Sequence, residues 1–138
     1  MVSVAIYDEQ LGAPGRTSRR IGLGLSLLAA LFLAVDAAGK LIAPETMIAY
    51  SPPLGLPAEP SFYRLLGAIL AVCTALYIWP RTAILGAVLL TGYLGGAVAT
   101  HLRVDSPLFS HTLFGIYLGA MIWGGLWLRD PRLRGLVN

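Results

Sequence analysis

The chain has 138 residues, of which 57% are hydrophobic and only 12% charged, and its formal net charge is +3. Soluble domains run at roughly 45–50% apolar and about 25% charged, so this composition points to a membrane protein and leaves no room for a separate catalytic or nucleotide-binding domain. The basic residues are scattered at predicted helix ends with no cluster and no interleaved aromatics, which excludes a nucleic-acid partner and fits membrane topology.

Residues 1–19 are polar and mixed in charge. They lack the basic region, short apolar core and small-residue cleavage site of a signal peptide in the right order, so the first hydrophobic stretch reads as a retained span. That span is predicted over 20–42 and is stopped by Pro44. Fifteen residues, Ile21 to Val35, carry no charge. A helix of that length rises about 22 Å, most of the way across a hydrocarbon core of about 30 Å. Asp36 therefore falls inside the membrane or at its edge. A carboxylate there costs about 2.5–3.5 kcal/mol on the insertion scale and marks a functional position by default. Lys40 lies one turn further on the same face and can pair with it. The alternative is a structural ion pair, with Lys40 snorkelling to the interface.

Residues 43–60 form a loop with five prolines: Pro44, Pro52, Pro53, Pro57 and Pro60. That composition favours extended or turn structure. The segment is nevertheless apolar, with Met47, Ile48, Tyr50, Leu54 and Leu56. It reads either as a lid over a cavity or as a passive connector in the interface. The second span is predicted over 62–79, with Ser61 as its cap and Pro80 closing it. It carries Cys73, the single cysteine, which reads as a small buried apolar residue and excludes a Cys-x-x-Cys redox pair.

A third span is predicted over 81–102 and a fourth over 107–128, with Ser106 as N-cap and Pro107 as first helical residue. Arg129, Asp130 and Pro131 end the fourth span, and 131–138 is a short tail. The expected fold is therefore all-α: a four-helix transmembrane bundle. Arg16, Arg19, Arg20, Arg81, Arg129, Arg132 and Arg134 then fall on one side, against Lys40, Arg64 and Arg103 on the other. The positive-inside rule places both termini in the cytoplasm, in a multi-pass protein of a bacterial inner membrane. Tyr63, Trp79, Trp123 and Trp127 are expected at the interfaces. Gly92, Gly95 and Gly96, and Gly115, Gly119, Gly124 and Gly125, read as close-packing faces between helices or as room for a flat ligand.

The few polar groups of the spans gather toward the end away from the termini. Tyr93, Thr100 and His101 belong to the third span and His111 to the fourth, and in a bundle these converge with Asp36 and Lys40. A histidine beside a carboxylate can exchange a proton with a lipid-soluble ligand, such as a quinone head group. No ligand spacing for a metal, no intrinsic cofactor motif and no nucleophile or phosphate motif is present.

The run Leu90-Thr91-Gly92-Tyr93-Leu94-Gly95-Gly96-Ala97-Val98-Ala99-Thr100-His101 resembles the third span of the DoxX-like family of small bacterial membrane proteins. The runs Ser110-His111-Thr112-Leu113-Phe114-Gly115-Ile116-Tyr117-Leu118-Gly119 and Trp123-Gly124-Gly125-Leu126-Trp127-Leu128-Arg129-Asp130 are similar to its fourth. The resemblance covers residues 20–134 and implies a four-helix membrane bundle. The family takes its name from a subunit associated with thiosulfate and quinone oxidation, and it carries no agreed catalytic residues to transfer. Three functions stay open: an accessory oxidoreductase subunit or binder of a quinone-like ligand, a small-solute transporter, and an assembly partner joined to another membrane protein or a second copy. The absence of internal repeats and of paired broken helices weighs against the transporter.

Overall fold

A computed structural model describes residues 14–50 and 53–137. Most of the polar segment 1–19, Pro52, Asn138 and the side chain of Tyr50 lie outside that description. Six α-helices and one π-helical turn follow in order, with no strand among the described residues. They are α1 (Arg16–Ile42), α2 (Pro44–Tyr50), α3 (Pro60–Ile78), α4 (Ala83–Arg103), the π-turn Leu108–Thr112, α5 (Phe114–Arg129) and α6 (Pro131–Gly135). Four segments are long and apolar enough to cross a membrane: α1, α3, α4, and the π-turn with α5. Their outward faces agree with that reading, since Leu27, Leu28, Leu31 and Val35 are each more than half exposed.

The helices form a ring in which α1 and α4 each pack on both α3 and α5. The tight half of the bundle is the one where α1 begins and α5 ends. There Gly22 of α1 meets Gly125 of α5, where a β-carbon on Gly22 would come within 2.7 Å of the Gly125 carbonyl oxygen. Gly86 of α4 lies so close to α3 that a β-carbon would stand 2.2 Å from the Tyr77 backbone nitrogen. Around these contacts Ala29, Leu70, Tyr77, Ala83, Ala87, Leu90, Ile122 and Leu126 are buried. Tyr77 closes the core with polar bonds as well. Its hydroxyl donates to the Ile122 carbonyl at 2.9 Å and is hydrogen-bonded to Ser26 Oγ at 2.8 Å. Ser26 Oγ also accepts from Arg129 Nε at 2.9 Å, and the Arg129 guanidinium lies 5.3 Å from the Tyr77 ring centre. A buried phenol needs such a partner, and here α1 and α5 supply it.

Several local expectations are corrected. The loop after α1 is not wholly extended: Pro44 ends α1 and also opens α2. A proline at a first helical position loses no bond, and residues 45–50 contain no further proline to break the turn. At α3, Pro60 rather than Ser61 is the first residue inside the helix, with Glu59 preceding it as cap residue. Ser106 does not cap a helix at Pro107. Pro107 itself flanks the π-turn, and the chain between α4 and that turn reverses through Asp105, whose φ of 52° is left-handed. Tyr63 is buried, and Trp123 donates to Thr91 Oγ1 at 2.8 Å on the middle of α4, so neither is an interfacial anchor. Trp79 and Trp127 are exposed near helix ends.

Candidate functional site

At the end away from the start of α1 the ring opens into a cavity of about 820 Å³. It is formed where α1 and α4 stand diagonally across from each other, with α3 and the π-turn and α5 on either side. All six polar residues singled out in the sequence line it: Asp36 and Lys40 from α1, Tyr93, Thr100 and His101 from α4, and His111 from the π-turn. The rest of the wall is apolar, and includes Phe32, Phe62, Leu66, Phe114 and Leu118. Phe32 and Phe114 meet edge to face, 5.0 Å apart, across the α1–α5 seam.

Asp36 and Lys40 are bonded to each other across one helical turn. Their side chains are 27% and 14% exposed, so the pair is neither dry nor fully hydrated. Among the described residues no other lysine, arginine or acidic side chain lines the cavity. The pair therefore brings a local dipole to an otherwise apolar wall.

The two histidines face one another with ring centres 5.9 Å apart. Each is held through Nδ1 by a serine hydroxyl, His101 by Ser106 at 3.0 Å and His111 by Ser110 at 2.7 Å. The left-handed turn at Asp105 folds Ser106 back over the end of α4, where its backbone N–H bonds the His101 carbonyl. The π-turn widens the start of the fourth span. It buries Thr112, whose hydroxyl donates to the Ser106 carbonyl, and leaves His111 beside the cavity. With Nδ1 engaged, Nε2 of each ring has no bond to a described residue and remains the exchangeable position. Tyr93 packs against the core through its ring, and its hydroxyl has no hydrogen-bond partner among the described residues. Thr100 differs, because its hydroxyl already donates to the Gly96 carbonyl at 2.8 Å.

Described residues of the proline-rich segment reach this cavity. Met47, Leu54 and Leu56 contribute to its lining, and Arg103 at the end of α4 donates to the Leu54 carbonyl at 2.6 Å. Gly55 follows with a φ of 66°, and its open face lies against the Arg103 guanidinium. A side chain there would meet both a strained backbone and the arginine.

The glycines divide in a way the sequence did not specify. Gly115 packs on Leu94 and Val98, and Gly125 on Gly22 and Ser26. Gly92, Gly95, Gly96, Gly119 and Gly124 have nothing within 4 Å of where a β-carbon would sit, so they are not helix-packing contacts within this chain. Gly92 and Gly96 instead front the cavity and keep a flat strip of α4 backbone there. Among the described residues no three His, Cys, Asp or Glu side chains lie together as a metal site.

The sequence model of the DoxX-like family matches residues 24–125, well over half of the chain and every residue that lines the cavity. The chain belongs to the DoxX-like family. It is a multi-pass membrane protein of that family, with four helices long and apolar enough to span. No curated protein and no solved structure gives a significant match. In this DoxX-like chain, sequence reasoning missed Ser106 and Ser110. Ser106 had been assigned to a cap, and nothing in the spacing of Ser110 distinguishes a histidine partner from a solvated serine.

Proposed function

We propose that this DoxX-like protein binds a lipid-soluble, carbonyl-bearing ring compound of the quinone class, as an accessory subunit to a membrane oxidoreductase. The observation that carries this reading is the large, mostly apolar cavity that Asp36, Lys40, Tyr93, Thr100, His101 and His111 all line. Its aromatic and aliphatic walls suit a ring, and the flat Gly92–Gly96 strip gives a plate for it to lie on. The Tyr93 hydroxyl and the histidine Nε2 atoms supply hydrogen-bond donors or acceptors for ring oxygens. The histidines also offer a route for the protons that a quinone takes up on reduction. The protein brings no electron carrier of its own in this reading; the ligand or a partner subunit carries the electrons. The host membrane is a bacterial inner membrane, with both termini in the cytoplasm.

Tryptophan quenching by a quinone analogue tests the proposal. Trp123 is the reporter, because it is bonded to Thr91 beside Gly92; Trp79 and Trp127 are replaced by Phe. Quenching in nanodiscs should saturate. Tyr93→Phe should weaken it about three- to tenfold, the scale of one hydrogen bond. His101→Phe with His111→Phe, which removes both Nε2 atoms, should weaken it by a similar factor. Linear, unsaturable quenching that is the same in all variants would show partition into lipid and end the proposal.

A second reading, assembly with another membrane protein, is supported by Gly95, Gly119 and Gly124, which leave small open positions on α4 and α5. Crosslinking from cysteines placed at Gly95 and Gly119 would separate it from the first.

A further inference from the structure

The opposite end of the bundle, where α1 begins and α5 ends, holds a second cleft of about 360 Å³. Its chemistry is the reverse of the first. Arg19 and Leu23 of α1, Pro80 and Arg81 of the α3–α4 turn, and Arg129, Asp130 and Arg132 line it. Four guanidinium groups thus face one carboxylate, and that carboxylate is already engaged. Asp130 accepts from the Arg132 backbone N–H at 3.0 Å and from its guanidinium at 2.7 Å. Arg132 is further tied to the Pro80 carbonyl. Arg129 is fixed by Ser26 Oγ, by the Tyr77 carbonyl at 3.4 Å and by the Tyr77 ring. The Arg19 and Arg81 guanidiniums make no hydrogen bond or ion pair with any described residue. The cleft therefore combines two guanidiniums held in place with two uncommitted ones, and among the described residues Asp130 is the one carboxylate that lines it.

We propose that this cleft binds a phosphate group, supplied by the head group of an anionic phospholipid or by a free phosphate. A guanidinium fork matches two phosphate oxygens, and several around one cleft can share a tetrahedral anion. The cleft sits at the ends of helices long and apolar enough to cross a membrane, where head groups would meet it, and Leu23 and Pro80 give it an apolar wall against which an acyl chain would run. Basic pockets between transmembrane helices recognise anionic head groups in this way.

The test uses Trp79, next to Pro80, as the reporter, with Trp123 and Trp127 replaced by Phe. The protein is placed in phosphatidylcholine nanodiscs containing either brominated phosphatidylglycerol or brominated phosphatidylcholine. Brominated phosphatidylglycerol should quench at about tenfold lower mole fraction, on the scale of surface arginines that each favour anionic lipid. The preference should vanish in Arg19→Gln with Arg81→Gln. It should persist in Arg16→Gln with Arg20→Gln, which removes the same charge from the same end but outside the cleft. Quenching by brominated phosphatidylcholine, unchanged throughout, reports that the helices remain inserted. In a second arm, inorganic phosphate replaces chloride at constant ionic strength in phosphatidylcholine alone. A rise in melting temperature that needs Arg19 and Arg81, without lipid preference, identifies a soluble phosphate as the source. No response in either arm, or equal loss in the Arg16 and Arg20 variant, overturns the site and leaves a generally basic membrane face.

Discussion

Breaking the Asp36–Lys40 pair from either side gives the most direct measure of how the cavity wall is held. At an effective dielectric of about 20, unit charges about 4 Å apart attract by about 4 kcal/mol. Holding the lysine side chain in one geometry costs part of its rotamer entropy of about 2 kcal/mol. Partial loss of hydration offsets more, because the side chains are only 27% and 14% exposed. The expected net coupling is about 1–2 kcal/mol. That lies above the 0.2–1 kcal/mol typical of exposed pairs and below the roughly 3–5 kcal/mol lost when one partner of a fully buried pair is removed. Lys40→Met should be the more damaging single change, since it strands a carboxylate in a cavity lined by no other described lysine or arginine. Asp36→Asn should cost less, because the amide oxygen still accepts from the ammonium. The double variant should recover part of the loss. Reversible unfolding in mixed micelles, run as a double-mutant cycle, measures this directly. Additivity within about 0.3–0.5 kcal/mol would refute the coupling.

The remaining predictions concern the other end of the fold. Gly86→Leu should prevent assembly of a thermally stable bundle, while Gly119→Leu, where nothing stands within 4 Å, should be tolerated; melting curves of the two compared with wild type decide this, and equal losses would contradict the packing described. Burial alone would raise the Asp130 carboxyl, but hydrogen bonds and charge from Arg132, with the charge of Arg129, hold it below the usual aspartate value. The stability it contributes is therefore present above the unfolded value near pH 4 and is lost as pH falls through the lower folded value. Melting temperature should fall faster below about pH 4 in wild type than in Asp130→Asn, and parallel curves would refute the linkage. Alkaline phosphatase fused after Asn138 should stay in the cytoplasm and be inactive, and an active, exported fusion would reverse the proposed orientation.

The four membrane-length helices were legible because apolar runs broken by Pro44, Pro80 and Pro131 leave few other readings. The candidate site was legible for a related reason. In helices with almost no polar residues, Asp36, Lys40, Tyr93, Thr100, His101 and His111 are conspicuous, and helix direction alone puts them toward one end. Their meeting in a single cavity is a tertiary fact that spacing does not carry. The misreadings came where one residue type has two uses. Pro44 both stops and starts a helix, Ser106 can cap a helix or hold a histidine, and a glycine can mark contact or emptiness. Gly92 and Gly125 look alike in the chain, and only the placement of α1 against α5 separates them.

That Asp36 and Lys40 belong to the same helix also bears on how the protein is made. Their bond spans a single turn of α1 and needs nothing from the other three spans. When α1 leaves the ribosome and partitions into the bilayer, it can do so as a nearly neutral segment, because carboxylate and ammonium are neutralised locally before α3, α4 and α5 have been synthesised. The histidine pair has no such independence, since His101 and His111 lie on separate spans and meet only after both are inserted. The charged half of the cavity is thus in place from the first span onward, and its titratable half is completed by the last.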